Sequence, residues 1–180
     1  MSLPAAAHPP EPTADIGLDA DSYRRAVGHF ASGVTVVSTR VGTGIHAVDH
    51  AMTASAFTSV SLDPILVLVC VDKDARFHDA VLESGTWAVS VLSTAHRRAA
   101  EWFAQKGRPL IGQLDQYPHH RGVTGAALLD GAVAWLECRT QETYDGGDHD
   151  IVLGAVLRAA EGARDAPPLV YHRGRYGRLA

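Results

Sequence analysis

The sequence is poor in the features that mark several large classes of protein. Two cysteines among 180 residues are too few for a disulfide framework. Cys70 lies inside the apolar run 65–71 and Cys138 inside 132–138, so both read as small buried hydrophobes in a reducing compartment. A cytoplasmic location is expected. No apolar stretch approaches the roughly 20 residues that span a bilayer, and the first lysine or arginine is Arg24, so the N-terminus lacks the positive flank of a secretory signal. No membrane association is expected. Sixteen lysines and arginines stand against 20 aspartates and glutamates, a formal charge of -4, with no block of basic residues. Without that phosphate-binding footprint, nucleic acid is not expected as a partner.

What is present is the composition of one ordinary domain, 46% hydrophobic and 20% charged, large enough to bury a sizeable core. Residues 1–18 contain Pro4, Pro9, Pro10 and Pro12 but few large apolar side chains. They cannot offset their ordering entropy by burial, so they are expected to be a tail before a domain over 19–180. The domain opens with a short amphipathic helix capped by Asp19 or Asp21, its Tyr23, Val27 and Phe30 at helical spacing and Gly33 as its stop.

From Val34 the texture is β-branched. Val34–Val41 and the Gly42-Thr43-Gly44 turn predict a hairpin. The apolar run 65–71 predicts a strand buried on both faces and central in its sheet. Asp74 is the expected cap of a helix that turns Phe77, Ala80 and Val81 inward and ends at Gly85. A strand over 87–92, a helix over 94–103 and a Gly-, Pro- and His-rich loop over 106–125 follow. Two long strands, 132–143 and 150–160, flank Asp145-Gly146-Gly147-Asp148. Successive strands without regular intervening helices predict a mainly β fold with peripheral helices, an antiparallel barrel rather than a parallel α/β sheet.

Two motifs allow more than one reading. Gly42-Thr43-Gly44-Ile45-His46-Ala47 matches a loose dinucleotide pattern, with Asp63 at the distance of a ribose-binding acid. The hydroxyl-rich stretch that follows is a poor helix, however, so a plain hairpin turn is the simpler account. The segment 51–61 carries Thr53, Ser55, Thr58, Ser59 and Ser61 among small residues. Such a segment can bring hydroxyl and backbone N–H donors close to a phosphate or a heteroaromatic edge, or it can be a strand with a polar outer face. Lys73, at the end of the apolar strand, adds a cation beside it. His149 between Asp148 and Asp150 allows either a solvated turn or a functional site. His119, His120 and His149 have no recognised metal-ligand spacing, and neither G-x-S-x-G nor an activated cysteine is present.

Residues 30–37 (FASGVTVV), 52–64 (MTASAFTSVSLDP), 147–154 (GDHDIVLG) and 168–177 (PLVYHRGRYG), taken together, closely resemble the short-chain flavin reductase family. The resemblance implies an antiparallel split β-barrel, usually a homodimer. It also implies NAD(P)H-dependent reduction of FAD or FMN, which is handed to a separate flavin-dependent monooxygenase. FAD and NADH are the expected pair, with FMN and NADPH left open. Carried over by position, Thr53, Ala54, Ser55 and Ala56 match the segment along the isoalloxazine edge, and Ser59, Val60 and Ser61 the segment near the ribityl chain and phosphate. Asp72, Lys73, Asp74, Ala75 and Arg76 match the loop on the phosphate or adenylate side. His149 matches a histidine expected to position the nicotinamide, and Arg173, Arg175 and Tyr176 the C-terminal segment of the pyridine nucleotide site. Ala51 replaces the glycine usual before Met-Thr, and Asp74, Ala75 and Phe77 replace hydroxyl residues. An acid at 74 repels a terminal flavin phosphate, which favours FAD. A flavin-binding carrier or sensor without turnover is the alternative on the same fold.

Overall fold

A computed structural model describes residues 17–179. The expected tail therefore lies outside the described residues except for Gly17 and Leu18. Helix α1 (Ala20–Val27) is capped by Asp19, whose carboxylate accepts the Ser22 amide at 2.7 Å. It stops at Gly28, five residues before the expected Gly33, and none of its residues is buried.

Seven strands form one antiparallel sheet in the order β3 (Val48–Ala54), β2 (Thr35–Val41), β6 (Thr86–Val91), β9 (Ala134–Gly146), β10 (His149–Glu161), β5 (Ile65–Asp72) and β4 (Phe57–Leu62). The two edge strands, β3 and β4, are consecutive in the chain and joined only by Ser55-Ala56. The sheet thus curls until its edges meet at that link without pairing, an open antiparallel barrel. The β2–β3 hairpin turns through Gly42 at φ 83° and Gly44 at φ 56°. Only a three-residue 3-10 turn, Gly44–His46, follows the glycine pattern. There is no helix N-terminus to receive a dinucleotide phosphate there.

The barrel interior holds Val37, Val67, Val69, Val71, Trp87, Val89 and Val152. Helix α2 (Arg76–Ser84) plugs it with Phe77 and Val81 and ends at Gly85 in the left-handed region, as expected. A second cluster packs α3 (Arg97–Phe103) on the outside of β2 and β3 through Val34, Val36, Ala51, Ala99, Ala100 and Phe103. With both faces covered, β2 buries Thr35, Ser38 and Thr39, and each hydroxyl donates to a backbone carbonyl, those of Ala54, Ala127 and Thr86 respectively.

Four further expectations change. Strand β5 is next to the sheet edge, not central; Val67, Val69 and Val71 point into the barrel core, and of its outward apolar residues only Leu66 is buried. Leu68 and Cys70, on its outer face, are half-buried. A continuous apolar run does not distinguish a doubly covered strand from one with a part-covered outer face. Asp74 does not cap α2: the cap position is Ala75, and the Asp74 amide instead donates to Asp72 at 2.8 Å. The loop 106–125 contains β7 (His119–Arg121), which pairs with β8 (Ala127–Leu129). The β9–β10 hairpin is tighter than expected, closing on Gly147-Asp148 with Gly147 at φ 87°. The C-terminal β11 (Leu169–His172) and β12 (Arg175–Arg178) pair with each other, and β11 also pairs with β1 (Ser32–Gly33). No helix among the described residues is long and apolar enough to cross a membrane.

Candidate active site

As an edge strand, β3 has backbone groups that no neighbouring strand can satisfy. Two of them are met by the segment after α3: Gln113 donates to the Asp49 carbonyl at 2.6 Å and Arg108 donates to the Ala51 carbonyl. In a pleated strand every second residue turns its N–H and C=O to the same side. The outward direction of Asp49 and Ala51 is therefore shared by Thr53, whose N–H and C=O face a cleft of about 240 Å³.

The cleft has three walls: Ala51, Met52 and Thr53 of β3, the turn from Asp72 to Phe77, and the segment from Phe103 to Arg108. Three cations line it. Arg76 donates to the Arg108 carbonyl at 2.6 Å, and Arg108 lies 5.6 Å from the Phe103 ring centroid. Lys106, largely exposed, reaches Asp72 at 3.1 Å. Burial, reinforced by Arg76, lowers the Arg108 pKa. The Asp72 carboxyl is held below the ordinary carboxylate range, first by the Asp74 amide and then by Lys106.

A second lobe of about 180 Å³ shares Thr53 and Ala104 with the first and adds Val34, Ser55, Tyr171 and Tyr176. The two tyrosine rings stand 5.2 Å apart, tilted by 57°. Burial raises the Tyr176 hydroxyl pKa. The cleft thus has a cationic lobe and an aromatic lobe, meeting at the Thr53 backbone.

The residues singled out in the sequence fall into three groups. Thr53, Asp72, Asp74, Ala75 and Arg76 line the first lobe, and Ser55 and Tyr176 the second. The Thr53 hydroxyl, however, donates to the Ala100 carbonyl at 2.8 Å and so ties β3 to α3. His149 is directly opposite Asp72 across the β5–β10 pair, half exposed, with Nδ1 2.8 Å from Asp148.

The rest lie elsewhere. Ala54 is in the core and the Ala56 carbonyl accepts the Cys70 amide at 3.0 Å. Ser59, Val60 and Ser61 sit on the edge strand β4, where a register shift separates Ser59 from Ser61. The Arg173 guanidinium is 3.1 Å from His29, and Arg175 is exposed on β12. Lys73 turns away from the cleft toward the β9–β10 turn. The sequence reasoning missed Lys106, Arg108 and Tyr171. Two cations flanking Gly107 directly after a helix, with no acid between Glu101 and Asp115, were the available signal for the first two.

Comparison with known proteins bears on most of the chain. The family described as the flavin reductase like domain matches residues 27–180. An NADH-dependent FAD reductase of Streptomyces globisporus is 44% identical over 165 residues, covering 90% of this chain and 87% of that protein. An NADH-dependent FMN reductase, AsuE2, of Streptomyces nodosus subsp. asukaensis is 41% identical over 160 residues, with 87% and 83% covered. Among solved structures, BorF, the flavin reductase component of a bacterial two-component tryptophan halogenase, is 45% identical with a TM-score of 0.82, covering 89% of this chain and 98% of that one. The antiparallel split barrel is therefore the fold of this protein, and the chain belongs to the flavin reductase like domain family.

Proposed function

We propose that this protein is an NADH-dependent flavin reductase that takes FAD in preference to FMN and releases the reduced flavin to a separate flavin-dependent monooxygenase. The observation that carries the reading is the free edge of β3 at Thr53, set between a cationic and an aromatic lobe. A flavin ring has a polar edge of alternating N–H and C=O groups, the pattern that an unpaired strand edge offers. Its phosphates suit Arg76 and Lys106. Asp72 and Asp74 on the same wall disfavour the dianionic terminal phosphate of FMN more than the bridging phosphates of FAD. The FAD reductase of Streptomyces globisporus, at 44% identity, supports the same choice.

When bound, the flavin would supply the redox chemistry as acceptor of a hydride from the reduced nicotinamide. The protein supplies position. The Thr53 backbone holds the ring edge, and its hydroxyl ties β3 to α3. Tyr171 and Tyr176 wall the second lobe and offer aromatic faces to a planar ring. His149 stands at the rim beside Asp72 and orients the nicotinamide.

A second copy of the chain covers the outer face around β4, where Val60, Leu62 and Ile65 are exposed at 47%, 89% and 56%. The resulting homodimer works in the cytoplasm, where Cys70 and Cys138 remain free thiols. The site assignment is tested by His149→Ala, which raises KM for NADH much more than KM for FAD. Equal changes in both, or none, would remove His149 from the nicotinamide side.

A further inference from the structure

We infer that Lys73 is a positioning residue that clamps the β9–β10 turn and so sets His149 at the rim of the cleft, rather than a ligand of the flavin phosphate. The inference rests on the reading of His149 given above.

The Lys73 amide donates to the Asp148 carbonyl at 3.1 Å. Its ammonium donates to the Asp145 carboxylate and, at 2.8 Å, to the Gly147 carbonyl, and lies 3.4 Å from Asp150 Oδ1. An ammonium has three N–H groups, and here three acceptors on one hairpin meet them. A phosphate would have to displace one of these.

The other side of the turn is held from α2. His78, mostly buried, places Nε2 2.8 Å from Asp150 Oδ2, with Asp79 3.2 Å from its Nδ1. Asp150 is thus gripped by Lys73, the residue after β5, and from α2 by His78. His149, the residue between the gripped Asp150 and the bonded Asp148, is thereby fixed opposite Asp72. Asp145, Gly147 and Asp148 are exposed, and the tip of a two-residue hairpin opens easily unless it is tied down. Lys73 provides that tie across 72 residues of sequence to Asp145.

The test is Lys73→Met in the full-length protein, alone and combined with His149→Ala. The clamp predicts that Lys73→Met raises KM for NADH about fivefold, the scale of a part-exposed ion-pair network, while the Kd for FAD stays within about twofold. Amide exchange at Gly147, Asp148 and His149 should accelerate, with exchange in the core strands unchanged. Because Lys73 acts through His149, the double variant should show the same KM for NADH as His149→Ala alone. A weakened Kd for FAD with KM for NADH unchanged would make Lys73 a phosphate contact and overturn the inference. So would additive effects in the double variant or unaltered exchange at the turn. If the wild-type protein does not oxidise NADH with FAD, it is the reductase reading that fails. The exchange measurement then still decides whether Lys73 holds the turn.

Discussion

Gly154 closes the GDHDIVLG segment, and the structure gives it a packing role that can be tested. A Cβ at this position would lie 2.4 Å from Cζ2 of Trp87, 3.0 Å from its Cε2 and 3.1 Å from Cβ of Cys138. Carbon atoms pack at about 3.5–4.0 Å, so Gly154→Ala requires the indole to retreat by about 1 Å. Trp87 is fully buried within the barrel cluster, flanked by Val89 and Val152, and has little room to do so. Overpacking of this kind costs about 1–3 kcal/mol. Losing glycine freedom in the unfolded chain returns about 0.4–1 kcal/mol, which leaves a net loss of about 1–2 kcal/mol. For a domain of this size that lowers Tm by about 3–6 °C. Differential scanning calorimetry of Gly154→Ala, in the wild type and in a Trp87→Phe background, measures it. Phenylalanine lacks the ring carbon that Cβ meets, so the alanine should cost little there. An unchanged Tm for Gly154→Ala, or an equal cost in both backgrounds, would refute the reasoning.

Two further predictions concern titrating groups. The pKa of His78 is raised above its ordinary 6.5, chiefly by its hydrogen bond to Asp150. A raised folded-state value means that the stabilisation is complete below 6.5 and is lost as pH rises through the raised value. The urea midpoint of the wild type should therefore fall between about pH 6 and pH 8 more than that of His78→Gln; parallel profiles would show that the pair contributes nothing. Burial, with a smaller contribution from neighbouring Glu137, pushes the Cys138 thiol up to about 12. In a Cys70→Ser background, a maleimide at neutral pH should label Cys138 only as fast as the protein unfolds, and rapid labelling of that native variant would contradict its burial.

Much of the fold was legible because its determinants are local. Phe77, Ala80 and Val81 lie on one face of a helix that stops at a left-handed glycine, and the Gly42–Gly44 turn joins two β-branched segments. Sheet order is not local. Nothing within 65–71 shows that this strand stands beside an edge, with half its side chains on a part-covered face. The site divides in the same way. Thr53 and the turn 72–76, which line the first lobe, were singled out through the family resemblance; the pattern of the hydroxyl-rich segment alone left open a strand with a polar outer face. The cationic lobe was not legible, because Lys106 and Arg108 reach β3 from a segment whose sequence marks it only as loop. Lys73 was visible as a cation at a strand end, but its partners Asp145, Gly147 and Asp150 are brought to it by the pairing of β5 with β10.

Steady-state oxidation of reduced nicotinamide by catalytic amounts of the purified protein, with NADH or NADPH crossed against FAD or FMN, tests the central claim most directly. The account predicts turnover that depends on added flavin, fastest with NADH and FAD. Oxidation no faster than with flavin and nicotinamide alone, in every pairing, would contradict it.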